Sequence, residues 1–151
     1  MIKGVVIKKI EKYEDDRGYL AELFRQDDLS GYSSVMAYLS YTKPGVVRGP
    51  HEHKFQSDLF VFFGPGNFRL YLWDRREDSE TKGEKLELEV GVDNQVAVLV
   101  PPGVVHGYKC ISSVSAMSLN FPDKLYRGEK KGEEVDEIRW ENEENSPYKI
   151  D

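Results

Sequence analysis

The amino-acid sequence predicts an all-β fold, a barrel or sandwich of about ten short strands. Three observations predict it. Apolar and polar residues alternate with a period of two rather than 3.6, as in Lys85-Leu86-Glu87-Leu88-Glu89-Val90. The apolar segments are short and rich in Val, Tyr, Phe and Leu, the longest runs being Leu59 to Phe63 and Val96 to Val100. Between them stand residues that break regular structure: Lys43-Pro44-Gly45, Gly64-Pro65-Gly66-Asn67, Asp93-Asn94 and Pro101-Pro102-Gly103. A chain of 151 residues and 17.4 kDa is expected to form one domain, 1–151, large enough to bury a core without disulfide or metal staples.

Taken in order, strands are expected over Gly4 to Ile10 and Tyr19 to Arg25, then a turn of helix over Gln26 to Leu29. Strands over Ser34 to Thr42 and Val46 to His51 flank the Pro44-Gly45 turn. In the next strand, Asp58 to Phe63, Phe60 and Phe62 share one face and apolar residues also fill the other. Two apolar faces imply burial on both sides, one in the core and one against a second subunit. Strands follow over Asn67 to Asp74, Lys85 to Val90, Gln95 to Val100, Gly107 to Ser112 and Ser115 to Phe121, each bounded by turn residues. The acidic tail, 129–151, is expected to carry a short helix and an irregular end.

Composition narrows the function classes. No apolar run approaches the roughly 20 residues of a membrane-spanning helix, and Met1-Ile2-Lys3-Gly4 does not open a signal peptide. A cytoplasmic protein with no membrane partner is expected. Twenty-one Lys and Arg against 27 Asp and Glu leave a net charge of −6. The dense basic pairs, Arg75-Arg76 and Lys130-Lys131, sit among acids, so nucleic acid is not an expected partner. The single cysteine, Cys110, can form no internal disulfide and reads as a small core residue, not a nucleophile.

Three histidines carry the chemistry: His51, His53 and His106. Alternate residues of a strand face one side, so His51-Glu52-His53 turns two imidazoles together. Asp58 opens the next apolar strand, and His106 follows the Pro102-Gly103 turn. Three imidazoles and a carboxylate would suit Zn, Fe, Mn, Ni or Cu.

These residues also carry a resemblance. Gly45-x5-His51-x-His53-x4-Asp58 and Pro101-x-Gly103-x2-His106 resemble the two cupin motifs, with Asp58 where cupins usually carry Glu and Cys110 where they usually carry Asn. The resemblance implies a jelly-roll (double-stranded β-helix) barrel, in which His51, His53, Asp58 and His106 match the residues that hold a metal in metal cupins. A narrower resemblance runs from Asp15 to Trp140. Asp15-x-Arg17-Gly18-x3-Glu22, Val46-Val47-Arg48-Gly49-Pro50-His51, Leu72-x-Asp74-x-Arg76-x2-Ser79, Pro102-Gly103-Val104-Val105-His106-Gly107-Tyr108 and Ile138-x-Trp140 are similar to successive motifs of the dTDP-4-dehydrorhamnose 3,5-epimerase family. That family implies a homodimer acting on a nucleotide-diphosphate sugar, without an organic cofactor. His51 would be the base with His106 as its helper. Arg48 and Arg17 would hold the diphosphate, Arg17 from a partner subunit; Glu22 would meet the base and Asn120 a sugar hydroxyl.

The sequence departs from the family at three positions. Asp58 stands where the epimerases carry the lysine that stabilises the enolate, Asn120 where they carry a tyrosine acid, and His53 where they carry glutamine. A carboxylate near a developing enolate repels it, most strongly in a dry site. A divalent metal on His51, His53, Asp58 and His106 would replace the lysine as Lewis acid. Lys54 and Lys109 are the other candidate replacements, although exposed lysines are the default. Three readings stay open: an epimerase-like cupin, a metal cupin of other chemistry, and a sugar-nucleotide-binding module without turnover.

Overall fold

In the computed structural model, which describes residues 1–29 and 31–151, the strands are β1 (Val6–Lys9), β2 (Lys12–Asp15), β3 (Gly18–Ala21), β4 (Tyr38–Thr42), β5 (Val47–Glu52), β6 (Asp58–Phe62), β7 (Asn67–Asp74), β8 (Lys85–Gly91), β9 (Val96–Val100), β10 (Val104–Cys110), β11 (Ala116–Asn120) and β12 (Ile138–Arg139). They form two five-stranded antiparallel sheets, ordered β1-β9-β6-β11-β4 and β12-β5-β10-β7-β8, and a separate β2-β3 hairpin. No helix among the described residues is long and apolar enough to cross a membrane. This is the all-β architecture that the alternation predicts, in the jelly-roll form that the resemblance implies.

The inner faces of the two sheets make the core. Phe60 and Phe62 of β6 and Val96, Val98 and Val100 of β9 meet Phe68, Leu70 and Leu72 of β7 and Val104, Tyr108 and Cys110 of β10. Each such apolar side chain, fully removed from water, contributes about 1.5–3 kcal/mol before entropy is counted. Every residue of β6 is buried, as its two apolar faces imply. Its outer face, however, is covered by this chain and not by a second subunit. Leu23, Phe24, Leu29 and Tyr32 pack there on Leu59 and Val61.

The other departures have local causes. Strand β2 carries no apolar alternation because all four of its residues are exposed. The strand expected over Tyr19 to Arg25 ends at Ala21, and that over Ser34 to Thr42 begins only at Tyr38. Gln26 to Leu29 is a turn, with Asp28 N–H donating to Arg25 O at 3.2 Å, not a turn of helix. Strand β10 starts at Val104 rather than Gly107, so His106 lies inside a strand. The tail holds two 3-10 turns, Glu129–Lys131 and Trp140–Asn142, and adds β12 beside β5.

The Asp74-x-Arg76-x2-Ser79 motif is structural. Asp74 is 2% exposed and closes the β7-β8 connection. It accepts from Arg76 Nε and Nη2, both at 2.8 Å, from Ser79 Oγ at 2.5 Å and from Thr81 Oγ1 at 2.6 Å. The Arg76 guanidinium, helped by the two hydroxyls, holds the Asp74 carboxyl well below the usual carboxylate range. Asp74→Ala is expected to cost roughly 3 kcal/mol. A depressed carboxyl stabilises the fold above the unfolded-state value and loses that contribution as pH falls toward the folded one. Urea melts of the two proteins should therefore differ most above about pH 4 and converge below it.

Candidate active site

The histidines meet because of one irregularity. Strands β5 and β10 pair His51 with His106, then Arg48 with Tyr108, so β5 carries one extra residue between these pairs. The resulting bulge lies at Gly49-Pro50 and re-aims the strand. Gly49 has φ 79°, and a Cβ there would lie 2.8 Å from His106 O and 3.0 Å from His51 Nδ1. Only glycine allows that approach. The His51 and His106 ring centroids are 4.5 Å apart, and His53 lies 5.7 Å from each.

Asp58 reaches the same point from the opposite sheet. Its Oδ1 accepts from Gln56 Nε2 at 2.9 Å and from Asn120 Nδ2 at 2.8 Å. Its Oδ2 lies 3.0 Å from His53 Nε2 and 3.3 Å from His106 Nε2. Donor atoms of His51, His53, Asp58 and His106 all lie within 4.8 Å of one another.

The far side of each ring decides what these atoms can do. His106 Nδ1 faces Val104 O at 3.0 Å, and His53 Nδ1 faces Asp136 O. A carbonyl only accepts, so each Nδ1 carries the hydrogen and each neutral ring turns an Nε2 lone pair toward Asp58. Asp58 Oδ2 and His106 Nε2, both buried, have no partner with hydrogen-bond geometry. Electron-rich atoms held this way repel unless a positive charge lies between them. Metal-bound imidazoles are oriented in this manner, by an Nδ1–H fixed on a carbonyl. Ligands about 2.1 Å from a tetrahedral ion stand roughly 3.4 Å apart, close to the two separations here.

Without an ion, a proton fills the gap. Burial disfavours the charge on His53, but the Asp58 carboxylate, with Oδ2 3.0 Å from Nε2, outweighs it and pushes the imidazole up to about 9. Burial also opposes ionisation of Asp58, yet His106 and His53 hold its carboxyl well below the usual range. His51 behaves differently. Burial, followed by the charges of His106 and His53, holds it well below the usual imidazole value. It is therefore neutral at physiological pH, and its Nε2 lies 3.9 Å from Glu137 Oε1.

The cluster opens on a cavity of about 1000 Å³ between the sheets, lined by Tyr38, Arg48, His51, His53, Phe60 and Tyr108 and capped by residues from the 122–141 segment. Asp136 ties that segment to the site. Its carboxylate accepts from the backbone N–H groups of Lys54, Phe55 and Gln56 at 2.9, 2.9 and 3.0 Å, while its carbonyl fixes His53.

The other expected residues fall as follows. Arg48 lines the cavity, with Nε donating to Thr42 Oγ1 at 2.9 Å and Nη2 to Tyr41 O at 3.0 Å. Asn120 is 1% exposed and is not among the lining residues; its amide supports Asp58 and Tyr38 instead of meeting the cavity. Arg17 stands at the β2-β3 hairpin, paired with Asp15, and Glu22 pairs with Arg25 at 3.3 Å. Neither lines the cavity of its own chain, and neither do Lys54 and Lys109. Sequence reasoning missed Tyr38, Gln56, Asp136 and Glu137. The signal for Asp136 was its place two residues before Ile138-x-Trp140, inside what reads as a solvated acidic run.

Comparison with known proteins gives a consistent result. A family model described as dTDP-4-dehydrorhamnose 3,5-epimerase matches residues 1–145. The spore coat polysaccharide biosynthesis protein SpsL of Bacillus subtilis (strain 168) is 38% identical over 143 residues, covering 95% of this chain and 93% of that protein. The crystal structure of a dTDP sugar isomerase from Desulfovibrio desulfuricans G20 shares the fold at a TM-score of 0.84 and 21% identity, covering 98% of this chain and 91% of that one. A dTDP-4-dehydrorhamnose 3,5-epimerase from Bacillus anthracis, crystallised with TDP and PPi bound, has a TM-score of 0.73 and 26% identity, covering 82% of this chain and 74% of that one.

Proposed function

This chain belongs to the dTDP-4-dehydrorhamnose 3,5-epimerase family, and from that premise we propose that it inverts a carbon beside the ketone of a nucleotide-linked 4-keto sugar, for the assembly of a surface polysaccharide or glycan. The observation that carries the reading is a neutral imidazole, His51, facing a cavity between the sheets beside a buried set of donors suited to a cation. His51 takes the proton from the carbon next to the ketone, and the electron pair passes into the enolate. Arg48 offers its remaining N–H groups to the diphosphate. His53, Asp58 and His106 would hold one divalent transition metal, Zn, Fe, Mn or Ni, and no organic cofactor is required. When bound, that ion supplies the Lewis-acid polarisation of the ketone that the family's lysine gives elsewhere. The fit rests on Asp58 Oδ2 and His106 Nε2, buried and without hydrogen-bond partners.

The reading includes a homodimer. Tyr13 and Leu20, cross-strand partners on one face of the β2-β3 hairpin, are 53% and 62% exposed, an apolar pair that supports a second copy as its cover. In such a dimer Arg17, at the hairpin, serves the partner's cavity.

A second reading has its own support. All four donor groups lie within 4.8 Å of one another, which favours a four-ligand metal cupin of different chemistry with His51 bound to the ion. The deciding experiment incubates the protein, loaded in turn with Zn, Fe, Mn and Ni, with dTDP-, UDP- and GDP-linked 4-keto-6-deoxyhexoses in deuterium oxide. Deuterium entering the carbons beside the ketone, with a new epimer in the NMR spectrum, is the expected result. Tight binding of a sugar nucleotide without any exchange would identify a binding module, and no exchange with any of the three would overturn the epimerase reading.

A further inference from the structure

We propose that Tyr38 is the catalytic proton donor of this site, delivering its proton from the wall opposite His51. The inference rests on the epimerase reading above and adds the residue that completes it. Inversion at carbon requires a proton to leave one face of the sugar ring and another to arrive at the opposite face. Two groups on two walls do this if the ring lies between them.

The sheets place them so. His51 is on β5, in one sheet, and Tyr38 is on β4, at the edge of the other, and both line the same cavity. Tyr38 pairs in register with Asn120 across β4 and β11. Asn120 Nδ2 donates to Tyr38 Oη at 2.8 Å and to Asp58 Oδ1 at 2.8 Å, which uses both amide hydrogens. An amide N–H cannot accept, so the phenol oxygen is the acceptor in this bond and its own hydrogen is unspent. Among the described residues it has no acceptor. Other cavity tyrosines are less well placed. Tyr108 is buried, with its hydroxyl paired to Ser118 Oγ at 3.0 Å, and Tyr126 enters from the capping segment with no bond to the Asp58 cluster.

The proton balance closes. His51 removes the C–H proton and becomes imidazolium, and the C–H electron pair forms the enolate. The enolate carbon then takes the Tyr38 hydrogen on its other face as the ketone re-forms. The phenolate left behind keeps the Asn120 N–H bond, which strengthens with the charge. Proton exchange of imidazolium and phenolate with water restores both groups. Burial holds the Tyr38 phenol up at about 12, so it retains its hydrogen at neutral pH and yields it only to a strong base such as the enolate carbon.

The test uses full-length protein, a dTDP-linked 4-keto-6-deoxyhexose or whichever sugar nucleotide the wild type exchanges, and deuterium oxide. Tyr38→Phe removes one oxygen from a half-exposed ring, and an unchanged melting curve checks its fold. Expected is a loss of about 100-fold or more in epimer formation, with exchange at the starting configuration within about threefold of wild type, because His51 still takes and returns a proton on its own face. Equal loss of exchange and inversion, or loss of neither, overturns the proposal. A second measurement needs no variant. In a single wild-type turnover the inverted carbon should carry solvent deuterium, whereas retention of the substrate's own hydrogen would mean one base serving both faces and would also overturn it. If the wild type exchanges nothing with any sugar nucleotide, the parent reading fails and this one with it; if it exchanges but Tyr38→Phe inverts normally, this one alone fails.

Discussion

Replacement of His51 by alanine is expected to lower deuterium exchange into the keto-sugar by about 100- to 10 000-fold and to leave zinc binding unchanged. The rate loss follows from the state of the ring. His51 is held neutral by burial and by its two histidine neighbours, and it faces the cavity, so it can accept a proton at physiological pH. Metal retention follows from the rest of the cluster, since His53 and His106 are oriented by backbone carbonyls that owe nothing to His51. Exchange rates by NMR and metal content by mass spectrometry read the two halves separately. Loss of the ion together with the activity would move His51 into the ligand set and favour the four-donor cupin.

Asp58→Ala is expected to have the largest effect on the metal. It removes the one charged donor and leaves the imidazoles of His53 and His106. Zinc affinity, measured by competition with a chromophoric chelator, should fall by roughly 100-fold or more, since even outer partners of metal ligands are worth 10–100-fold. The metal-free variant should also be less stable to urea by about 3–5 kcal/mol, because His53 keeps its charge in the folded protein chiefly through this carboxylate. An Asp58→Ala protein that binds zinc as tightly as the wild type would overturn the ligand assignment.

Much of this arrangement is legible in the sequence, for identifiable reasons. The inner strands announce themselves because alternation is strict where one face is core, as in Phe60 and Phe62. His51 and His53 are placed together by the period of a strand, although only His51 lies within β5. The hairpin strand β2 is invisible because exposure on both faces leaves no pattern. The burial of both faces of β6 follows from its composition, but its cover cannot, because Leu23 and Phe24 signal their packing only once the chain has folded back. The same limit explains Tyr38 and Asp136. Each acts through a partner about 80 residues away, Asn120 for one and His53 for the other. Arg17 and Glu22 show the converse: a motif marks them, yet their own chain does not bring them to the cavity.

The two-sheet origin of the site has a further consequence. In the proposed mechanism base and acid are mounted on different layers, so the gap between them is the thickness of the barrel. That thickness is set by aromatic spacers. Phe60 lies 5.4 Å from the His106 ring and 5.9 Å from the Tyr108 ring, centroid to centroid. The molecule therefore works as a calliper whose jaws are sheets and whose stop is the packing between them. Trimming or enlarging the stop is then expected to change which sugar rings fit between the jaws without altering a single reacting group, so that under this mechanism the selection of substrate and the packing of the core become one and the same variable.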